Sequence, residues 1–153
     1  MTLWSALVAG LHYLGVMGLA ATLSIEILTL KGMVSESALA RLTRVDLFYG
    51  LSALLVLVTG VARVIWFGKG AHYYLHNWIF QLKVGIFIVV GLWSILPTLR
   101  FIRWRKAFSD NAVLPQEEQF CAMRKVVFSE LHLLAILPFL AALMARGFGY
   151  FGH

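Results

Sequence analysis

The stretch YLHNWIFQLKVGIFIVVGLWSILPTL, residues 74–99, decides the fold of this chain. Lys83 is the only lysine, arginine, aspartate or glutamate in it. A helix that spans a bilayer needs about 20 predominantly apolar residues, because the hydrocarbon core is about 30 Å thick. The stretch is therefore predicted to cross a membrane as a helix.

Three further segments meet the same test of length and composition. They are residues 3–30, 46–67 and 126–145. The first is too long for a secretory signal and has no basic residue ahead of it, so it is expected to remain as a true span. The sequence predicts an all-α, integral membrane four-helix bundle that forms a single domain over residues 1–153.

The composition agrees with a lipid environment. The chain has 153 residues, of which 61% are apolar and 13% charged, whereas soluble domains are about half apolar and a quarter charged. The net charge of +6 does not indicate nucleic-acid binding, because the basic residues flank apolar blocks. The single cysteine, Cys121, excludes an internal disulfide and a multi-cysteine metal site.

Lysine and arginine are unevenly divided between the two sides of the predicted bundle. Nine lie in or beside the first and third connections: Lys31, Arg41, Arg44, Arg100, Arg103, Arg105, Lys106, Arg124 and Lys125. The other four are Arg63, Lys69, Lys83 and Arg146. Short cytoplasmic loops carry the excess of basic residues. The sequence therefore predicts a multi-pass protein of a bacterial inner membrane with both termini outside.

Charged and polar residues inside the spans are sorted by depth. A charge at the centre of a span costs about 2.5–3.5 kcal/mol on insertion scales, so such residues usually have a function or a partner. The predicted inner half holds Glu26, Asp46, Glu130 and His132, and the outer half holds His12, Arg63, Lys83 and Arg146. Structural interpretations stay open, since Asp46 could cap a helix and the arginines could anchor the interface.

Helical spacing predicts which of these side chains share a face. His12 and Glu26 are fourteen residues apart, close to four turns, so they should lie on one face of the first span. Glu130 and His132 are two residues apart, about 200° around a helix, so they should point in different directions.

Small residues predict where the helices pack closely. The first span has a run formed by Gly15, Gly18 and Thr22. The second span has Gly50, Ala53, Leu57 and Gly60 at spacings of three and four.

Several short motifs resemble a bacterial family of four-span inner-membrane proteins that is named only as a domain of unknown function. The motifs are Leu11-His12-Tyr13-Leu14, Asp46 with Tyr49-Gly50, Arg63 before Trp66-Phe67-Gly68-Lys69-Gly70, Lys83, Pro97-Thr98-Leu99-Arg100-Phe101, and Ala141-Ala142-Leu143-Met144-Ala145-Arg146-Gly147. They extend over nearly the whole chain. The resemblance implies the four-span fold.

His12, Lys83 and Glu130 are also similar to residues of the HemJ-type membrane protoporphyrinogen oxidases, which have a span-one histidine, a span-three lysine and a span-four glutamate. This resemblance implies haem or porphyrin chemistry, with His12 binding the cofactor and Lys83 and Glu130 acting in catalysis. The chain departs from that family before Lys83, where Phe80-Gln81-Leu82 replaces its tryptophan-leucine-histidine run. It also departs at His132, where HemJ proteins have proline. Copper-resistance membrane proteins of the CopD type share the architecture.

Three functional hypotheses follow. In the first, the protein is a redox protein that holds haem b or a porphyrin and passes electrons to a partner. His12 is then the axial metal ligand, His132 is a second ligand or acts across a homodimer, and Arg63, Lys83 and Arg146 pair with the propionates.

In the second hypothesis the protein is a dimeric proton-coupled transporter that uses the acids Glu26, Asp46 and Glu130. In the third it is an accessory or assembly subunit that associates through its glycine seams.

Overall fold

A computed structural model describes residues 3–67 and 70–151 of the chain. Four helices in it are long and apolar enough to cross a membrane, which confirms the all-α four-span prediction. They are α1 (Leu3–Lys31), α2 (Glu36–Ala62), α4 (Trp78–Asn111) and α5 (Glu117–Ala145), with a short helix α3 (Ala71–Leu75) between α2 and α4. Gly68 and Lys69, named in a motif and in the charge count above, lie outside the described residues.

The long helices extend beyond the predicted spans. At 34 residues, α4 is about 51 Å long, well over the thickness of the hydrocarbon core. The connection expected over 100–125 is therefore mostly helix. Its turn is confined to residues 112–116, where Ala112 has a φ of 53°. Residues 117–125, which precede the predicted fourth span, form the first part of α5.

Local capping explains where the helices begin. The Ser35 hydroxyl accepts a hydrogen bond from the Ala38 amide at 3.2 Å, so α2 begins at Glu36. The Asn77 side chain accepts hydrogen bonds from the amides of Ile79 and Phe80. This cap starts α4 at Trp78 rather than at the predicted residue 74, and it leaves Tyr74 in α3.

The four long helices are arranged in a closed ring, because α1 packs on α2, α2 on α4, α4 on α5 and α5 on α1. Leucines of α1 and α2 fill its centre together with Val127 of α5. Large apolar side chains cover the outside, among them Leu92 and Phe139, which are 65% and 73% exposed. An apolar exterior of this extent is what a helix bundle presents to lipid tails.

The predicted seam on the first span is confirmed, but that on the second is only partly right. A Cβ at Gly15 would lie 2.8 Å from Val56, and one at Gly18 would lie 2.5 Å from the Ser52 hydroxyl. Gly60 contacts the His12 ring. Gly50 and Leu57 face outward instead, because α2 turns the face of Ser52 and Val56 toward α1.

Candidate functional site

The polar side chains of the bundle interior form two separate groups. We call His12, Thr59, Arg63 and Lys83 the histidine cluster, and Glu26, Asp46 and Glu130 the carboxyl cluster. His12 and Glu26 both point inward from α1, at positions about 21 Å apart along the helix axis. Buried apolar residues lie between the clusters: Leu19, Leu23, Val56, Val90 and Leu134.

His12 is held in the histidine cluster by a threonine of the neighbouring helix. Its Nδ1 lies 3.0 Å from the Thr59 Oγ1. The Thr59 hydroxyl donates its own proton to the Leu55 carbonyl at 2.5 Å, so Thr59 accepts from the imidazole N–H. A neutral imidazole that donates from Nδ1 keeps its lone pair on Nε2. This is how protein groups usually fix the tautomer of a metal-binding histidine.

Two cationic side chains lie close to His12. Arg63 and Lys83 both interact electrostatically with the imidazole, and they interact with each other. Arg63 belongs to a single π-helical turn, Arg63–Phe67, that continues α2, and its guanidinium lies 5.7 Å from the centre of the Tyr13 ring. Such π-helical turns are frequent at functional sites.

Within the residues that the structure describes, the one ion pair joins Arg105 and Glu36, far from this cluster. The histidine cluster therefore combines two cations and an imidazole without an acidic partner from the described chain. Like charges repel more strongly in a low-dielectric interior. An anion bound there would be stabilised.

The carboxyl cluster draws on all four long helices. Glu26 comes from α1, Asp46 from α2 and Glu130 from α5, while Thr98 of α4 donates a hydrogen bond to the Asp46 Oδ1 at 2.8 Å. Glu26 interacts electrostatically with both other acids. The two glutamates are each only 1% exposed.

His132 and Arg146 lie outside both clusters. His132 is exposed, as the spacing from buried Glu130 predicted, and it lines a groove of about 430 Å³ on the lipid-facing side with Val89 and Trp93. Its Nδ1 donates to the Phe128 carbonyl at 2.7 Å. Arg146 is exposed where α5 ends. The structure does not bring either residue to His12, so a contribution from His132 would require a second molecule.

The predicted catalytic residues Lys83 and Glu130 are also in different clusters, on opposite sides of the apolar layer. In residues 3–67 and 70–151, no three histidine, cysteine, aspartate or glutamate side chains are grouped so as to hold a metal ion. A haem differs from a bare metal ion, because its porphyrin supplies four ligands and needs only one or two from the protein. His12 can supply one such ligand.

Several residues of these clusters were not singled out from the sequence. Thr59 and Thr98 orient His12 and Asp46, but threonine in a helix most often bonds its own backbone, as Thr43 does here. Asn77, which lies outside both clusters, had a usable signal, since asparagine directly before an apolar run is typical of a helix N-cap.

A model of one protein family matches residues 4–149, and the description of that family is "predicted membrane protein". The chain belongs to this family, DUF2214. The assignment agrees with the resemblance to a four-span family of unknown function. No curated protein and no solved structure matches the chain. The resemblances to HemJ-type and CopD-type proteins stay predictions.

Proposed function

We propose that this DUF2214 protein binds a b-type haem or a related porphyrin at its histidine cluster and serves in electron transfer within a bacterial inner membrane. The observation that carries the proposal is the His12 ring, held by Thr59 and flanked by Arg63 and Lys83. Haem supplies reversible one-electron chemistry when it is bound.

The cations of the cluster support an anionic ligand. Haem and protoporphyrin each carry two propionates, and charge-assisted hydrogen bonds from arginine or lysine to a carboxylate are about twice as strong as neutral ones. Arg63 reaches the cluster from the π-helical turn that continues α2, and Lys83 reaches it from α4. They would pair with the propionates, and His12 of α1 would supply the ligand to the iron.

The proposal is tested by titrating haem, and separately metal-free protoporphyrin IX, into protein purified in mild detergent. Wild-type protein should shift the Soret band of both. His12→Ala should weaken haem binding at least about tenfold, which is about 1.4 kcal/mol, and it should leave the metal-free porphyrin nearly unaffected because that ligand has no iron. Lys83→Met should weaken the binding of haem and of metal-free protoporphyrin IX, since it removes a partner of the propionates.

His72→Ala serves as the matched histidine control, because His72 is exposed on α3 and stacks on His76. His132→Ala tests the predicted second ligand across a dimer. Wild-type protein that shifts neither Soret band, or His12→Ala protein that binds haem with unchanged affinity and spectrum, would overturn the proposal. The hypotheses of a proton-coupled transporter that uses the carboxyl cluster and of an assembly subunit would then remain.

A further inference from the structure

The proposed haem site leaves the carboxyl cluster without a role. Its three acids come from three helices and converge in the ring interior, with Thr98 of the fourth helix bonded to Asp46. Polar groups at such depth are costly and usually functional. The cluster lies on the far side of the apolar layer from His12, so it shares no residue with the proposed haem site.

Two of the acids have unmet hydrogen-bonding capacity. Within the described residues, the Glu26 Oε1 and both carboxyl oxygens of Glu130 are buried without a hydrogen-bond partner. Glu26 and Glu130 are almost completely buried, with 1% of each residue exposed. An ionised carboxyl group in that situation costs many kcal/mol, so a positive charge must compensate it or a proton must neutralise it.

The titratable groups that face the cluster are all acidic. Glu26 faces Asp46 and Glu130, and the Tyr49 hydroxyl of α2 interacts with all three carboxyl groups. α4 contributes Thr98, which is not titratable. A metal ion is disfavoured, since these acids are not grouped as metal ligands in the described chain. A proton needs no such geometry, and it converts one oxygen of each acid into a donor.

We propose that Glu26 and Glu130 form a proton-binding site inside the helix ring, with Asp46 as the group that exchanges protons with water. Asp46 is the least buried of the three acids, and its hydrogen bond from Thr98 fixes the carboxyl group at the edge of the cluster. Protons enter through Asp46 and are held by the two glutamates.

Infrared difference spectroscopy of the protein in liposomes, between acidic and alkaline pH, tests the proposal through the carbonyl stretch of protonated carboxyl groups. Wild-type protein should show a band that titrates reversibly and shifts in D₂O. Glu26→Gln and Glu130→Gln should each remove part of the band, and Asp46→Asn should slow its response to a pH jump. Glu118→Gln, on the exposed first turn of α5, should leave the band unchanged.

Three results would overturn the proposal. The first is a titrating band that is identical in Glu26→Gln, Glu130→Gln and wild type, and the second is a band that does not respond to pH. The third is a band that sodium chloride abolishes at fixed pH, because that result would assign the site to a metal cation. Covalent labelling with dicyclohexylcarbodiimide tests the proposal in the unmutated protein, because this reagent modifies protonated carboxyl groups in apolar surroundings. Mass spectrometry should find Glu26 or Glu130 modified, and modification confined to surface acids such as Glu118 would contradict the proposal.

Discussion

At the scale of single residues, the hydrogen bond between His12 and Thr59 is the contact on which the histidine cluster depends. The Thr59 hydroxyl gives its proton to its own helix and accepts the imidazole N–H. Partners of this kind orient metal-binding histidines, and their loss typically costs 10–100-fold in metal affinity.

Thr59→Val is therefore expected to weaken haem binding by about 10–100-fold while the helix stays intact. Valine has nearly the same shape but cannot accept the imidazole proton. Thr43→Val is the matched control, because Thr43 lies on the same helix and its hydroxyl bonds the Leu39 carbonyl of that helix. Equal haem affinity in the Thr59→Val and wild-type proteins would show that Thr59 does not position His12.

Asn77 has a structural role at the start of α4. It is fully buried, caps two amides of α4, and donates through Nδ2 to the Phe148 carbonyl at 3.0 Å. Asn77→Ala should lower the free energy of unfolding by about 1–3 kcal/mol, since it removes a cap and leaves a buried carbonyl unpaired.

Thermal unfolding followed by circular dichroism in detergent measures that loss. Asn111→Ala is the control, because Asn111 is exposed at the other end of the same helix. An Asn77→Ala protein as stable as this control would show that the hydrogen bonds of Asn77 to α4 and to the Phe148 carbonyl do not stabilise the fold.

The sequence predicted some of these residues better than others. The shared face of His12 and Glu26, and the different directions of Glu130 and His132, followed from helical geometry alone. Thr59 and Thr98 could not be predicted, because their roles depend on which neighbouring helix brings a side chain within reach.

At the scale of helices, the contact of α1 with α2 depends on glycine. Gly15→Ala should lower the free energy of unfolding by about 1–3 kcal/mol, because its Cβ would meet the Val56 side chain at 2.8 Å and the Ser52 carbonyl at 3.3 Å. Gly50→Ala, on the open face of α2 with nothing within 4 Å, should be neutral or stabilise by up to about 1 kcal/mol.

The same thermal unfolding assay compares the two variants. If Gly15→Ala is as stable as Gly50→Ala, the two helices are not in the close contact described here.

The faces of the helices were harder to predict than their existence. Length and hydropathy sufficed for the four long helices. The contact face of α2 was partly mispredicted, because a helix that is apolar all round has small residues on more than one face, and only its partner selects among them. The extensions beyond the membrane were missed because charged residues such as Arg103 and Lys106 ended the apolar run but not the helix.

At the scale of the whole molecule, the uneven distribution of basic residues predicts the orientation in the membrane. In a Cys121→Ser background, Ala71→Cys at the start of α3 should react with a membrane-impermeant maleimide in intact cells. Ser37→Cys, at the start of α2, should react only after the membrane is opened. Both positions are exposed, so the reverse pattern would mean that the termini face the cytoplasm.

The separation of histidine and carboxyl groups along the bundle was also predictable from residue positions. Their grouping into two clusters required the ring order of the helices, which hydropathy does not encode. The outward position of His132 agrees with its spacing from buried Glu130, and it removes the simplest way to give haem two ligands from one chain.

The most direct test of the proposed function is the visible absorption spectrum of the protein purified from haem-supplied cells, recorded oxidised and after reduction with dithionite. The proposed function predicts a Soret band that shifts on reduction and is lost in His12→Ala but retained in His72→Ala. Wild-type protein that is folded yet shows no absorption in this region, under the same supply of haem, would contradict it.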